Sequence, residues 1–146
     1  MSLKIRPLVA EDRADWGQMW GDYLSFYDTD VAPEIYETTF ARLINPANQV
    51  QNALVAERDG AAVGIVHYIY HAHNWRTEGV CYLQDLYVKD TVRGQGIGRA
   101  LIEAVYAAAD ANGTPNVYWM TQDFNENARL LYDRIGTLTP FIKYSR

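Results

Sequence analysis

The sequence has 146 residues, of which 49% are hydrophobic and 21% charged, and its formal net charge is −5. A chain of this length can bury a complete core without metals or disulfides, and its composition excludes a disordered segment and a fibrous repeat. The acidic balance argues against a nucleic-acid partner, because a phosphate backbone attracts basic surfaces, and it is compatible with a cationic substrate.

Compartment and domain number can also be predicted from composition. Cys81 is the single cysteine, so no intramolecular disulfide can form, and a cytoplasmic location is expected. Residues 1–6 lack the apolar stretch of a secretory signal, and no run reaches the roughly 18 apolar residues of a membrane span, so no membrane partner is expected. No repeat or linker divides the chain, which predicts one domain over residues 1–146.

The first half of the chain alternates between strand and helix patterns. A strand is predicted at Leu3–Leu8, a helix where apolar residues recur from Trp16 to Tyr27, a helix from Pro33 to Ile44, and strands at Ala53–Glu57 and Val63–Tyr70. Pro33 suits the first turn of its helix. Asp59 and Gly60, between the last two strands, are typical of a tight hairpin turn.

The second half predicts a strand, a helix, a strand, a helix and a final strand. Their ranges are Val80–Val88, Gly96–Ala111, Val117–Thr121, Asn125–Ile135 and Phe141–Tyr144. The order of elements over the whole chain predicts an α/β (α+β) fold, in which a mixed sheet carries helices on both faces.

A glycine cluster lies between the Val80–Val88 strand and the helix that follows it. The segment reads Arg93, Gly94, Gln95, Gly96, Ile97, Gly98, Arg99. The first turn of a helix has unpaired N–H groups and a partial positive charge, so it can bind a pyrophosphate, and glycines let the backbone approach closely. Arg99 stands where a dinucleotide-binding turn needs a third glycine, and the lysine of a nucleotidase phosphate loop is missing.

Three motifs together resemble the GNAT N-acetyltransferase superfamily. They are Leu83-Gln84-Asp85-Leu86-Tyr87-Val88, the R-x-x-G-x-G turn from Arg93 to Gly98, and Asn125-x-x-Ala128-x-x-Leu131-Tyr132. Aromatic residues near Trp16 and the Pro140–Tyr144 ending are similar to the histone- and polyamine-acetylating branch. The resemblance implies a mostly antiparallel central sheet with a splayed, bulged strand.

The same resemblance implies acetyl-coenzyme A as cofactor and a primary amine as acceptor, on a polyamine, an amino acid or a lysine side chain. Backbone groups of Leu86, Tyr87 and Val88 would bind pantetheine, with a bulge near Leu86. Those of residues 93–99 would bind the pyrophosphate. Relatives of this branch assemble, so a homodimer or higher homo-oligomer is expected.

Tyr132 matches the tyrosine that donates a proton to the leaving thiolate in many relatives. A phenol has an ordinary pKa near 10 and is protonated at neutral pH, which suits this role. On spacing alone a core aromatic is the better interpretation of Tyr132, because it shares an apolar face with Ala128, Leu131 and Ile135; the match to the helix motif favours the catalytic role. Asn125 matches a possible pantetheine contact, and capping of its helix is the simpler interpretation.

The general base is left open by the sequence. Relatives often place Glu on the central strand, where this chain has Gln84, and an amide cannot usefully accept a proton. Asp85 is adjacent, although strand alternation turns it to the opposite face unless a bulge redirects it. A water chain ending at Asp28, Asp30 or Asp123 is the other possibility.

The substrate residues are predicted near the end of the first helix. Tyr23 and Tyr27 offer aromatic faces to a cationic amine, and Asp28, Asp30 and Glu34 offer carboxylates; a solvated loop is an equally good interpretation. His67, His71 and His73 lack the carboxylate or cysteine spacing of a metal site, so no metal is predicted.

A second hypothesis is a non-catalytic acyl-coenzyme A sensor. Gln84 supports it, because this residue stands where relatives often have the catalytic Glu. A scaffold that assembles through its aromatic surface is a third hypothesis, disfavoured by the glycine turn.

Overall fold

A computed structural model describes residues 2–146, in which five strands and four helices follow one another. The strands are β1 (Leu3–Pro7), β2 (Gln51–Arg58), β3 (Ala61–His71), β4 (Val80–Val88) and β5 (Val117–Tyr118). The helices are α1 (Arg13–Phe26), α2 (Pro33–Ile44), α3 (Ile97–Ala111) and α4 (Glu126–Ile135).

The strands form one sheet in the order β1-β2-β3-β4-β5. All neighbouring strands are antiparallel except β4 and β5, which are parallel. The predicted mixed, mostly antiparallel sheet is therefore confirmed. Asp59 and Gly60 have φ angles of 52° and 83°, the positive values that a two-residue hairpin turn requires between twisted strands.

Helices cover both faces of the sheet because β3 is apolar on both sides. Val66 packs with Leu101 and the rest of α3 on one face, whereas Ile65 packs with Trp16 of α1 and Phe40 of α2 on the other. The central strand is thereby enclosed between two cores, and its side chains at Ile65, Val66 and Tyr68 belong to different layers according to strand alternation.

A bulge in β4 changes which face each side chain occupies. His67 pairs with Asp85 and Tyr68 pairs with Leu83, so Gln84 is an extra residue without a partner on β3. Leu83 packs toward α3, and the extra residue turns Asp85 toward α1 instead of leaving it on the same side. The predicted bulge near Leu86 lies at Gln84.

The last predicted strand, Phe141–Tyr144, is wrong. No residue from 137 to 146 belongs to a helix or strand, and Phe141, Ile142 and Tyr144 are exposed. The physical reason lies in β5, which has only two residues instead of the predicted Val117–Thr121, so it offers no long edge to which the tail can bond.

Candidate active site

A gap opens between β4 and β5. The two strands pair only at Cys81 with Val117 and Tyr82 with Tyr118, after which residues 119–124 leave the sheet. One edge of β4 from Leu83 onward therefore has no strand beside it. An extended ligand can bond there to the exposed backbone, as a peptide does when it adds to a sheet edge.

Alternation decides which backbone groups face this gap. The N–H of Lys89 donates to Val63 on the β3 side at 2.9 Å, so the N–H and C=O groups of Leu86 and Val88 point away from β3, into the gap. Those of Tyr87 point toward β3. The Tyr87 backbone is therefore excluded from the predicted pantetheine contacts, and its side chain packs toward α1.

The glycine turn presents its backbone at the N-terminus of α3. Gly94 and Gly96 have φ angles of 76° and 82°, and no atom of the described residues lies within 4 Å of a Cβ built on either one. The positive φ angles explain the glycines, and the open space in front of them leaves room for a ligand.

The N–H groups of the glycine turn that remain free to bind a pyrophosphate, called here the pyrophosphate cradle, do not include the whole predicted set from residues 93–99. The N–H of Arg93 donates to Asp90 at 3.4 Å and that of Ala100 to Gly96 at 3.0 Å, so the donors left on this turn run from Gly94 to Arg99. The Arg93 side chain folds back instead, and its Nε donates to the Val88 carbonyl at 2.9 Å.

The side chains of the turn point away from its amides. Gln95 accepts a hydrogen bond from Arg58 of β2, Ile97 is buried, and Arg99 lies 3.5 Å from Glu103 one helical turn later. Gly98 lies close to Val88 and Leu131. An anchored turn with consecutive outward N–H groups fits a diphosphate, and the adjacent open edge of β4 fits an extended pantetheine arm.

Asp85 lies at the centre of a polar cluster on the α1 face. Its Oδ2 accepts a hydrogen bond from His67 Nδ1 at 2.8 Å and from Trp20 Nε1 at 3.3 Å. The side chain is 13% exposed, so the carboxylate is largely enclosed yet reachable. Asp85 directly follows the bulge at Gln84, in the part of β4 that has one open edge.

Tyrosines surround this carboxylate. Burial, followed by the charge of Asp85, raises the pKa of Tyr23 far above its ordinary value and raises the pKa of Tyr27 as well. The Tyr23 hydroxyl donates to the Gln84 carbonyl at 3.4 Å. The Gln84 side chain is exposed. Neutral phenols and one carboxylate give a site with affinity for a cationic amine.

Tyr132 of α4 lies close to this cluster. Burial raises its pKa to about 12, with a smaller contribution from Tyr27, so the phenol is protonated at neutral pH. Its ring meets Trp119 edge to face, with centroids 5.5 Å apart. The hydroxyl accordingly holds a proton that it can give away.

Asn125 precedes α4 without capping it through its side chain. Its carbonyl accepts the Arg129 N–H at 3.1 Å, while its Nδ2 donates to Thr121 Oγ1 at 3.3 Å. Asn125 therefore occupies the N-cap position of α4, but its side chain does not cap the helix. The side chain instead links the start of α4 to Thr121, which follows β5.

The other predicted carboxylates are not part of the cluster. Asp28, Asp30 and Glu34 are exposed, and their side chains make no hydrogen bond within the described residues. Asp28 has a φ angle of 54°, which is typical of a turn residue. Asp123 is also exposed and lies in a loop, as Asp28 and Asp30 do, whereas Glu34 lies in the first turn of α2.

Three residues of the site were missed from the sequence. Trp16 and Trp20 read as part of an apolar stripe, and His67 was considered only as a metal ligand. The signal that could have identified His67 was the presence of a histidine within the apolar strand Val63–Tyr70. Its hydrogen-bond partners, Trp16 and Asp85, lie 51 and 18 residues away in the sequence and could not be identified from neighbouring residues. Within residues 2–146, no group of three His, Cys, Asp or Glu side chains could hold a metal.

Comparison with known sequences identifies related proteins. The sequence model of the Acetyltransferase (GNAT) family matches residues 13–137. The D-amino-acid N-acetyltransferase HPA3 of Saccharomyces cerevisiae is 40% identical over 143 residues, which cover 97% of this chain and 89% of the yeast protein. The thialysine N-epsilon-acetyltransferase of Bos taurus is 35% identical over 51% of this chain and 43% of its own.

Solved structures have the same fold. The ribosomal-protein-alanine N-acetyltransferase from Brucella melitensis biovar Abortus 2308 superposes with a TM-score of 0.83 at 21% identity, covering 99% of both chains. AAC(6')-Iy in complex with the bisubstrate analogue CoA-S-monomethyl-acetylneamine superposes with a TM-score of 0.87 at 15% identity, covering 100% of this chain and 98% of the other. Among the described residues, no helix is long and apolar enough to span a membrane.

Proposed function

The chain belongs to the GNAT acetyltransferase family and is an acetyl-coenzyme A dependent N-acetyltransferase, and from that premise we propose that its acceptor is the primary amine of an amino acid bound beside Asp85. The relatives support this acceptor class, because by their names they act on D-amino acids and on thialysine. The observation that carries the proposal is the position of Asp85, next to the bulge and to the open edge of β4.

The cofactor is proposed to lie along this edge. The backbone of Leu86 and the N–H of Val88 would bind its pantetheine arm, and the N–H groups from Gly94 to Arg99 would hold its pyrophosphate. When bound, acetyl-coenzyme A supplies a thioester that an amine attacks directly, with a thiol as the leaving group. The chain itself then has two tasks, to remove a proton from the amine and to provide one for the sulfur.

Asp85 and Tyr132 are proposed for these two proton steps. A carboxylate that is 13% exposed can bind an ammonium group and accept its proton, and this leaves the nitrogen lone pair free to attack. Tyr132, whose pKa is raised to about 12 by burial, keeps its proton until a thiolate develops nearby. Tyr23 and Tyr27 line the acceptor side, and the exposed Asp28, Asp30 and Glu34 attract cations from farther away.

The experiment that tests this function follows thiol release from acetyl-coenzyme A with a panel of amines. The panel contains D-amino acids, their L-isomers, a polyamine and a lysine peptide, and mass spectrometry identifies the product. We expect turnover to be highest with amino acids. Turnover only with the polyamine or the peptide would overturn the acceptor class, and tight coenzyme binding without any turnover would favour the sensor.

We further propose that one domain spanning the chain assembles into a homodimer or higher homo-oligomer in a reducing, cytoplasmic compartment. The exposed apolar side chains of Leu138, Phe141, Ile142 and Tyr144 support assembly, and the single buried Cys81 supports the compartment. Light scattering on the full chain measures the oligomer, and a monomer at all concentrations would contradict it.

A further inference from the structure

His67 takes no direct part in the proton steps proposed above, although it is buried and fully hydrogen-bonded. The residue is 4% exposed. Its Nε2 lies 2.9 Å from the indole nitrogen of Trp16, and its Nδ1 lies 2.8 Å from Asp85 Oδ2. The ring therefore links α1 to β4 through the interior.

The indole of Trp16 determines which ring nitrogen carries the proton. An indole N–H can only donate, so Nε2 of His67 must accept and must keep its lone pair. The ring proton then resides on Nδ1, which donates to the carboxylate of Asp85. His67 is accordingly a neutral imidazole with one acceptor and one donor, both satisfied.

One oxygen of Asp85 receives both internal donors. His67 Nδ1–H and Trp20 Nε1–H meet at Oδ2, at 2.8 Å and 3.3 Å. Oδ1 carries neither of these two bonds, so we assign it to the acceptor amine. Two donors from different elements restrict rotation of the carboxylate, whereas a free aspartate samples several rotamers.

We propose that His67 is a positioning residue for acetyl transfer: locked by Trp16 in its Nδ1–H form, it aims the Asp85 carboxylate at the acceptor amine. This inference rests on the proposed function, because it gives Asp85 a task. The titratable groups around Asp85 are His67 on β3, Tyr23 on α1, Tyr27 directly after α1, and Tyr82 on β4. Tyr23 also lies within hydrogen-bonding reach of Asp85, whereas the donating proton of His67 is fixed by the second bond of its ring to Trp16.

Two variants separate positioning from packing. His67→Leu removes the donor, and His67→Asn keeps an amide N–H near the place of Nδ1. We expect His67→Leu to lower kcat about tenfold or more, with CoASH affinity unchanged, and His67→Asn to recover most of that loss. Tyr68→Phe is the control, because Tyr68 is the next residue on β3, is 6% exposed and faces the opposite core.

Two kinetic outcomes would overturn the proposal. One is wild-type kcat in the folded His67→Leu protein. The other is an equal loss of kcat in both variants at equal thermal stability, which would mean that only the shape of the ring matters.

Long-range proton–nitrogen NMR correlations on the wild-type protein test the tautomer without any variant or turnover. We expect the neutral His67 ring, observed at about pH 8, to carry its proton on Nδ1. A neutral ring with its proton on Nε2 would overturn the inference. If the wild-type protein acetylated no amine while NMR showed the proton on Nδ1, the proposed function would be wrong. The positioning role of His67 would then be wrong too, and its hydrogen bonds to Trp16 and Asp85 would serve only to stabilise the fold.

Discussion

The ring of Trp119 meets the ring of Tyr132 edge to face, with centroids 5.5 Å apart and an interplanar angle of 67°. Trp119 follows directly after β5, where the chain leaves the sheet, and Tyr132 belongs to α4. The contact joins α4 to the residue at which the chain leaves the sheet. The Tyr132 ring is thus restrained by packing against a residue outside its own helix.

Tyr132→Phe tests the proton donor. The substitution keeps the ring contact with Trp119 and removes the hydroxyl, so we expect kcat to fall about a hundredfold while the Kd for CoASH changes little. Steady-state thiol release and calorimetry measure the two quantities. Tyr106→Phe is a matched control, since that hydroxyl donates to the Ile135 carbonyl at the C-terminal end of α4. Full kcat in Tyr132→Phe would refute the donor role.

Asp85→Asn tests the base. The amide keeps the size of the side chain but cannot accept a proton, so kcat/KM for the amine should fall about a hundredfold or more. Asp133→Asn is the control, because Asp133 is an exposed carboxylate on α4. If Asp85→Asn lowered kcat/KM no more than Asp133→Asn does, solvent would be the group that removes the proton from the amine. That result would contradict the assignment of Asp85 as the base.

Gly96→Ala tests the pyrophosphate cradle. At a φ angle of 82° a Cβ costs about 1 to 2 kcal/mol, and strain at this position shifts the first amides of α3. We expect calorimetry to show affinity for CoASH reduced roughly tenfold. Gly60→Ala introduces similar strain at a φ angle of 83° in the β2–β3 hairpin and should leave the affinity unchanged. The cradle is refuted if both variants bind CoASH as the wild type does.

Asp12→Asn tests the ion pair that anchors the start of α1. The carboxylate of Asp12 accepts two hydrogen bonds from Arg6, both at 2.8 Å, and one from the Val9 N–H at 2.9 Å. The Arg6 hydrogen bonds lower the pKa of Asp12 against the opposing effect of burial, and the Val9 N–H adds to the lowering. We expect the substitution to cost about 1 to 3 kcal/mol of unfolding free energy at neutral pH.

The pH dependence of that cost has a definite sign. Because the folded pKa of Asp12 is depressed, its contribution is present above the unfolded pKa of about 4 and is lost as pH falls through the folded pKa. Urea unfolding from about pH 5 downward should therefore show a smaller loss of stability in Asp12→Asn than in the wild type. Asp110→Asn, on the exposed side of α3, should follow the wild-type curve.

Much of the site could be predicted from motifs, but its geometry could not. The glycine turn and Tyr132 are assigned from local patterns near Gly94 and along α4, whereas the sequence leaves the base open between Asp85 and a water chain ending at another carboxylate. The role of His67 does not follow from local patterns, because Trp16 lies 51 residues before it and Asp85 lies 18 residues after it. Residues that meet only across a folded sheet leave no mark within a short window of sequence.

The sequence by itself determined the helices and strands up to Ile135 and their order. Local preferences are sufficient for this: Pro33 begins α2, Asp59 and Gly60 make the hairpin turn, and glycines precede α3, all because of backbone energies within a few residues. The tertiary structure decided the rest, namely the bulge at Gln84, the two-residue β5 and the unpaired tail. Strand register follows from burying two faces of a sheet at once, and that balance involves residues far apart in the chain.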